Sequence, residues 1–254
     1  MSKTLILDSL KRHQVAILPP MDVFDSLQLL KKYKIHARCT MLDPWYNKGV
    51  GKELPIEEYD LFIKKLLRTS SRLSDLLYLW GFPEIIGPYV RYAPKGFVMS
   101  TWLTWYYKNC PSVIRGWRSS QNACIQFVRE GTHLYPEHFL NEEQLARYES
   151  GNMRFVPGPP SVIESPLIIG FVGKKEQTGH PAQKPEAVFD KLILMATKEE
   201  DLLIDPMAGS GTTAASAIRL GRKAILCDQS EAYIQLMEKR LGVSRIQLQE
   251  HTTS

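Results

Sequence analysis

The sequence has no run of 18 consecutive apolar residues in its 254 positions, so we expect no transmembrane helix. Residues 1–14 mix charged with apolar side chains and lack the apolar core of a secretory signal, which predicts a cytoplasmic protein. The four cysteines, Cys39, Cys110, Cys124 and Cys227, form no C-x-x-C pair, which argues against a zinc site and a disulfide framework. With 44% hydrophobic residues, the composition indicates a folded domain rather than a disordered chain.

Aspartate and glutamate are absent from Ile85 to Arg129, although the whole chain contains 27 of them. The cations of this segment are Arg91, Lys95, Lys108, Arg115, Arg118 and Arg129. Aromatic residues are interleaved with them: Tyr89, Tyr92, Phe97, Trp102, Trp105, Tyr106, Tyr107, Trp117 and Phe127. Basic residues alternating with aromatic ones can follow phosphates and stack on bases. We therefore expect the charges to contact nucleic acid, chiefly through Arg115, Arg118 and Lys108, while the aromatic side chains divide between this surface and the core.

Strand-like and helix-like segments alternate along the chain, which predicts an α/β fold with a parallel sheet flanked by helices. The predicted strands are 40–42, 76–80, 97–101, 202–204 and 224–226. The predicted helices are 56–67, a short one opened by Pro83, 213–220 and 231–241. Residues 131–178 contain five prolines and are predicted to form an insertion of loops, with a short helix at 141–150 capped by Asn141 and an apolar run at 167–172.

A glycine-rich turn lies between the last predicted strands, where residues 205–213 read Asp-Pro-Met-Ala-Gly-Ser-Gly-Thr-Thr and Asp228 ends the next strand. Glycines allow close approach to the backbone, a helix N-terminus offers N–H groups, and the acid can accept ribose hydroxyls. These features predict an adenosine-bearing cofactor. The absence of Lys-Ser/Thr after the glycines argues against a P-loop, whereas Gly209-x-Gly211-x-x-Ala214 leaves a dinucleotide such as NAD open.

A second motif, Asp43-Pro44-Trp45-Tyr46, follows another predicted strand. Ligands bind at the carboxyl ends of strands in open α/β sheets. A carboxylate, a turn carbonyl and aromatic rings can accept hydrogen bonds from an amino group and stack on a flat ring. This combination predicts a site for an extruded nucleobase.

The motifs resemble those of the amino-methyltransferases that use S-adenosylmethionine to methylate exocyclic amines in DNA. In that family an Asp/Asn/Ser-Pro-Pro-Tyr/Phe/Trp motif holds the target amine, as residues 43–46 would here. The family's D-P-F-x-G-S-G-T and H-P-x-Q-K-P motifs resemble residues 205–212 and 180–185. This order of motifs is the family's permuted beta arrangement, and the resemblance covers about residues 15–241.

The resemblance implies a Rossmann-like methyltransferase sheet flanked by helices, with a circularly permuted motif order. Residues 1–130 would form the catalytic half, 131–178 a short target-recognition insertion and 179–254 the cofactor-binding half. Because this insertion is short for reading a long site, we expect a short recognition sequence in double-stranded DNA or help from a homodimer or partner subunit.

Individual roles also follow from the resemblance. Asp43 and the carbonyl of Pro44 would accept the two N–H groups of the amine, and Tyr46 would stack on the flipped base, with Trp45 completing the catalytic motif. The cofactor would be bound by Asp205, Met207, Gly209, Ser210, Gly211, Thr212, Asp228 and Lys184. Of these, Asp228 would hold the ribose, and Lys184 would contact the carboxylate end of the cofactor or cap a loop. His180 would shape a loop rather than act as a base, and the chemistry requires no metal.

The motifs depart from the family pattern in three places: Trp45 replaces a proline, Met207 replaces a phenylalanine, and Gln121-Asn122 replaces His-Glu. An initial Asp43 followed by Tyr46 and Asn47 is more similar to the adenine-modifying members, which favours adenine N6, with cytosine N4 as the alternative. Cytosine C5 is disfavoured because no cysteine follows a proline. More distant alternatives are a non-catalytic DNA-binding partner subunit and an NAD-dependent oxidoreductase. Related RNA and protein methyltransferases usually carry the cofactor motif first, whereas here it comes last.

Overall fold

The computed structural model describes residues 2–47, 53–110 and 116–247, which form one mixed sheet with helices on both faces. The strands are β1 (Val15–Ile17), β2 (Ala37–Leu42), β3 (Ser74–Gly81), β4 (Phe97–Tyr106), β5 (Gln121–Arg129), β6 (Val162–Glu164), β7 (Leu202–Asp205) and β8 (Lys223–Leu226). The helices are α1 (Lys3–His13), α2 (Val23–Lys32), α3 (Ile56–Ser70), α4 (Pro83–Ile86), α5 (Glu142–Glu149), α6 (Glu186–Ala196), α7 (Thr212–Arg219) and α8 (Glu231–Leu241). Short 3₁₀ helices occupy Gly87–Arg91 and Pro136–Phe139.

The sheet has the strand order β1-β8-β7-β2-β3-β5-β4-β6. All neighbouring pairs are parallel except those made by β5, which runs antiparallel to both β3 and β4. The expected parallel sheet is therefore interrupted at this end by one antiparallel strand, β5, which the sequence patterns do not predict. No described helix lies between β4 and β5, and a return without a crossover helix pairs strands antiparallel.

At the centre of the sheet, between β7 and β2, the order in which the chain adds strands reverses. Here β2 and β7 are parallel neighbours, with Thr40 opposite Ile204. Helix α3, which follows β2, packs on one face of the sheet, and α7, which follows β7, packs on the other. Crossovers to opposite faces leave a crevice beyond the carboxyl ends of the two strands, and such crevices hold the ligands of open α/β sheets. We call this edge of the sheet the site edge.

Apolar residues fill both sides of the sheet. In β3, Leu77 and Leu79 pack towards helices α1, α2 and α3, whereas Tyr78 and Trp80 pack towards α6, α7 and α8. Burial on both faces explains why the central strands are nearly continuous apolar runs rather than alternating ones. Among the described residues, no helix is long and apolar enough to cross a membrane.

Local sequence signals predict the bounds of two helices to within one residue. Helix α8 has the predicted bounds, 231–241, and α7 begins and ends one residue before the prediction. Asn141 caps α5 in a capping box, since its side chain accepts the Gln144 N–H while the Gln144 side chain accepts the Asn141 N–H. The α/β fold with helices flanking the sheet is thus confirmed.

Residues 131–178 pass from one edge of the sheet to the other. They begin opposite the site edge, where the Tyr135 N–H donates to the Met195 carbonyl at the end of α6, at 2.9 Å. Strand β6, which the sequence patterns do not predict, pairs in parallel with the carboxyl-terminal part of β4. It returns the chain to the site edge. The apolar run 167–172 is irregular at 167–169 and enters a turn at residue 170.

Candidate active site

Asp43 lies at the site edge, immediately after β2. One of its carboxylate oxygens accepts a hydrogen bond from the Tyr46 hydroxyl at 3.0 Å, and the other contacts the Lys184 ammonium group. The Tyr46 ring packs edge-on against Phe82, with ring centres 4.8 Å apart. Burial and the nearby Asp43 charge raise the pKa of Tyr46, so its hydroxyl remains a donor. The carboxylate is therefore held in place from both sides.

Lys184 joins the two predicted motifs. Its side chain is 3% exposed, and its nitrogen lies 5.3 Å from the centre of the Tyr46 ring and 5.4 Å from that of Trp80. Its backbone carbonyl accepts a hydrogen bond from the Thr212 hydroxyl, 3.2 Å away. The family motif implies that this ammonium group contacts the cofactor or caps a loop, whereas in the structure it contacts Asp43. A contact spanning 141 positions of the chain leaves no local pattern in the sequence.

The other residues of the first motif turn towards α3. The Trp45 ring packs on Tyr59 and Phe62 of α3, with centre distances of 5.4 and 4.7 Å. Its carbonyl accepts a hydrogen bond from the Tyr59 hydroxyl at 2.7 Å, and Pro44 is buried. Of the two aromatic residues of the motif, Tyr46 contacts the carboxylate, and Trp45 anchors the turn to the scaffold.

The glycine-rich turn follows β7, the strand beside β2. A Cβ atom on Gly209 would lie 2.8 Å from Nε2 of His180, and φ is +49° at this residue. Only glycine meets both conditions without strain. At the end of β8, the Asp228 carboxylate accepts N–H groups from Gly209 and Ser230, both at 2.9 Å. Each oxygen has a second lone pair for a further donor.

Asp205 is buried beneath this turn. Its oxygens accept hydrogen bonds from the Thr213 hydroxyl at 2.5 Å and from the Met207 N–H at 3.2 Å. Burial raises the pKa of Asp205 to about 7, although these two hydrogen bonds act in the opposite direction. Both oxygens are engaged with the chain itself, so the residue shapes the turn from below.

His180 lies between the two motifs. Its Nδ1 accepts the Ala182 N–H at 3.2 Å, which assigns the ring proton to Nε2, the atom that faces Gly209. Burial lowers the pKa of His180, and the negative charges of Asp43 and Asp228 oppose that shift. The ring is therefore neutral at pH 7 and shapes the loop that bears it.

Sequence reasoning misses Arg240 on α8. Its guanidinium donates to the Ser210 carbonyl at 2.9 Å, to the Thr212 hydroxyl at 3.1 Å and to Glu186 at 2.8 Å. It therefore links the glycine-rich turn to the start of α6. The sequence shows only an amphipathic helix at this position, and no local signal distinguishes this arginine from the others.

The predicted DNA-contacting residues have different surroundings. Lys108 is exposed and pairs with Glu164 at 2.6 Å, whereas Arg118 is exposed beside the fully exposed Trp117. Arg115 lies outside the described residues. At the opposite edge Arg129 pairs with Asp75 and donates to the Ser74 carbonyl, so this cation stabilises the fold. The buried aromatic residues of the acid-free segment are Tyr89, Phe97, Trp105, Tyr107 and Phe127.

Comparison with known proteins identifies the family. The model of the N6/N4 methyltransferase type, described as DNA methylase, matches residues 37–239. The chain belongs to this DNA methylase family. The match begins at β2 and ends within α8, so it includes both motifs of the site.

Three curated relatives resemble this chain over different lengths. Type II methyltransferase M.HpaI of Haemophilus parainfluenzae is 28% identical over 78% of this chain and 66% of its own length. Type II methyltransferase M2.DpnII of Streptococcus pneumoniae is 48% identical over 58% of this chain and 52% of its own. DNA adenine methyltransferase YhdJ of Escherichia coli (strain K12) is 27% identical over 87% and 81%. The chain therefore spans only about half to two thirds of the length of M2.DpnII and M.HpaI.

Two solved structures share the fold of this chain. The M1.HpyAVI–SAM complex aligns with a TM-score of 0.68 at 20% identity, over 90% of this chain and 100% of that one. The cytosine-N4-specific PvuII DNA methyltransferase aligns with a TM-score of 0.64 at 16% identity, over 92% and 88%. The Rossmann-like methyltransferase architecture expected from the motifs is confirmed by these two alignments.

Proposed function

We propose that this DNA methylase transfers a methyl group from S-adenosylmethionine to the exocyclic amine of a flipped base in double-stranded DNA, namely adenine N6. The observation that carries the proposal is the pairing of β2 with β7, which brings Asp43 and the glycine-rich turn to one crevice. Lys184 contacts both through its side chain and its backbone. The name of YhdJ as a DNA adenine methyltransferase supports adenine as the target.

The target amine needs activation because its lone pair is delocalised into the ring. In our proposal the Asp43 carboxylate and the Pro44 carbonyl each accept one N–H, which directs the nitrogen lone pair out of the ring plane. Tyr46 supports the base and holds Asp43 through its hydroxyl. The rate enhancement then comes from orientation and from charges that are already in place.

The residues of the second motif fit an adenosine-bearing cofactor. Asp228 keeps a lone pair on each oxygen for ribose hydroxyls, and the bare backbone at Gly209 and Gly211 lines the approach to the N-terminus of α7. Met207, Ser210 and Thr212 shape the same turn. When bound, S-adenosylmethionine supplies an electrophilic methyl group on its sulfonium.

Lys184 has a different role in this proposal from the cofactor contact that its motif implies. Its ammonium group neutralises the Asp43 charge and holds one carboxylate oxygen. The carboxylate therefore presents a fixed acceptor to the amine. Lys184 is a positioning residue for Asp43.

Nucleoside mass spectrometry of DNA from cells expressing the protein tests the reaction and the base together. N6-methyladenine is the expected product, with Asp43→Ala as the inactive control. N4-methylcytosine, the chemistry named for the PvuII enzyme, would replace adenine with cytosine in the proposal. The appearance of 5-methylcytosine would contradict the role of Asp43, because C5 chemistry requires a nucleophile that adds to the ring.

Calorimetric titration with S-adenosylmethionine and with NAD separates the methylase from an oxidoreductase. Saturable binding of S-adenosylmethionine alone is expected, and binding of NAD alone would refute the proposal. Methylation by the purified chain would exclude a silent partner subunit. Sedimentation of the same sample, with and without duplex DNA, tests whether the short insertion is compensated by a homodimer.

A further inference from the structure

An aromatic side chain is held in solvent at the tip of a turn beyond β6. Phe171 is 93% exposed. The Gln177 side-chain amide donates to the carbonyls of Gly170 at 3.0 Å and Val172 at 2.7 Å, the residues on either side of Phe171. A single polar side chain thus fixes the turn that presents this ring. Ile169 and Val172 are also exposed, at 43% and 37%, so the turn carries a cluster of apolar side chains in solvent, and such clusters mark binding surfaces. We call residues 167–177 the Phe171 turn.

The Phe171 turn is anchored to the site edge at both ends. At its start, Asn109, just beyond β4, donates to the Leu167 carbonyl at 2.9 Å and accepts the Leu167 N–H at 2.8 Å. At its end, Glu176 accepts the N–H of Glu186, the first residue of α6, at 3.1 Å. Because Lys184 contacts Asp43 just before α6 begins, the turn is tied to the chain that forms the site.

Two lysines follow Phe171 in the sequence. Lys174 and Lys175 are both exposed, and Glu176, the one acid between residues 165 and 185, is partly buried and engaged with α6. An exposed ring beside two cations suits a polyanion that offers flat surfaces for stacking. Nucleic acid combines phosphates with such surfaces.

We propose that the Phe171 turn is a DNA-contacting element, in which the ring packs against a base step of the duplex and Lys174 and Lys175 bind flanking phosphates. This inference rests on the proposed function, because the duplex is the methylated substrate. It also divides the predicted recognition insertion. Residues 133–138 contact Arg38 and the end of α6 at the opposite edge, whereas the Phe171 turn is attached at the site edge.

Two pairs of matched variants test the element by fluorescence anisotropy with duplex DNA at several KCl concentrations. Phe171→Ala is compared with Leu61→Ala, which removes another exposed apolar side chain, on α3 and outside residues 131–178. The double variant Lys174→Gln, Lys175→Gln is compared with Lys31→Gln, Lys32→Gln, which removes two exposed cations at the end of α2.

Phe171→Ala should weaken binding by about 5- to 150-fold, the range that corresponds to removing an aromatic ring that stacks on a base. Loss of the two lysines should reduce the log–log salt slope by about 1.8, because each phosphate contact contributes about 0.9 on duplex DNA. The two control variants should bind as the unsubstituted protein does. Gln177→Ala retains the ring but releases the turn, so it should lie between Phe171→Ala and the unsubstituted protein.

If the Phe171 and lysine variants bind like their controls, or if the unsubstituted protein shows no salt-dependent binding, the inference is overturned. Methyl transfer from labelled S-adenosylmethionine to the same duplex separates this failure from failure of the proposed function. Methylation by the unsubstituted protein together with unaffected variants would retain the function and reject the element. Weakened binding by Phe171→Ala without any methylation by the unsubstituted protein would retain the element and reject the function.

Discussion

Replacing Lys184 by methionine tests the ion pair at the centre of the site. The substitution keeps a chain of similar length and removes the charge, which leaves the Asp43 carboxylate without its cation. Removing one partner of a buried pair costs about 3–5 kcal/mol. The Asp43 side chain is 24% exposed and retains the Tyr46 hydrogen bond, so water and that hydroxyl offset part of the loss. We therefore expect the free energy of unfolding to fall by about 2–3 kcal/mol.

Urea denaturation of four proteins measures this effect: the unsubstituted chain, Lys184→Met, Asp43→Asn and the double variant. In the double variant no unpaired charge remains, so it should recover part of the loss caused by Lys184→Met alone. The resulting coupling free energy should be at least about 1 kcal/mol, within the range of residues in direct contact. A coupling near zero would refute the pair as a stabilising contact.

The same variants distinguish a positioning role from a cofactor contact. Lys184→Met should lower turnover while leaving the dissociation constant for S-adenosylmethionine unchanged, and Lys184→Arg should restore part of the turnover because it retains the charge. If Lys184→Met instead weakens cofactor binding and leaves turnover at saturation intact, the contact implied by the family motif is correct and the positioning role is wrong.

Three further substitutions address the remaining carboxylates of the site. Asp43→Ala should reduce methyl transfer by about 10²-fold or more while calorimetry shows little change in cofactor affinity; retained activity would remove Asp43 from the site. Asp228→Ala should weaken S-adenosylmethionine binding by about 1–3 kcal/mol, and an unchanged calorimetric dissociation constant would place the ribose acceptor elsewhere. For Asp205, burial raises the folded-state pKa from 3.8 to about 7, so the folded state binds the proton more tightly than the unfolded chain does. The free energy of unfolding should therefore be highest below about pH 4 and should fall as pH rises through 7. The total change from this residue is about 4 kcal/mol, and Asp205→Asn should remove it. Urea unfolding from pH 4 to 8 checks this sign, and parallel pH profiles for both proteins would contradict it.

Local chemistry explains which parts of the molecule are predictable. The glycine-rich turn and the Asn141 cap are specified by residues adjacent in sequence, and the structure has them where the patterns indicate. Strand β5 is not predicted, and its antiparallel direction depends on how the chain returns from β4, whereas β6 is missed because three residues carry no usable periodicity. The contacts of Lys184 and Arg240 join distant segments that meet only in the folded chain. The assignment of individual residues to base or cofactor stays a prediction.

The pairing of the first strand with the last one in the chain imposes an order on folding during synthesis. Strand β1 lies at the border of the sheet, and its neighbour there is β8, with Val15 opposite Ala224. At translation rates of about 5–20 residues per second, the synthesis of β8 follows that of β1 by roughly 10 to 40 s. Strands β2 and β3 can pair early, whereas β7 and β8 must add to the free side of β2 before β1 can close that border. A nascent chain stalled before residue 202 therefore contains the Asp43 motif but neither the cofactor turn nor a partner for β1. The enzyme's crevice is assembled only at the end of synthesis.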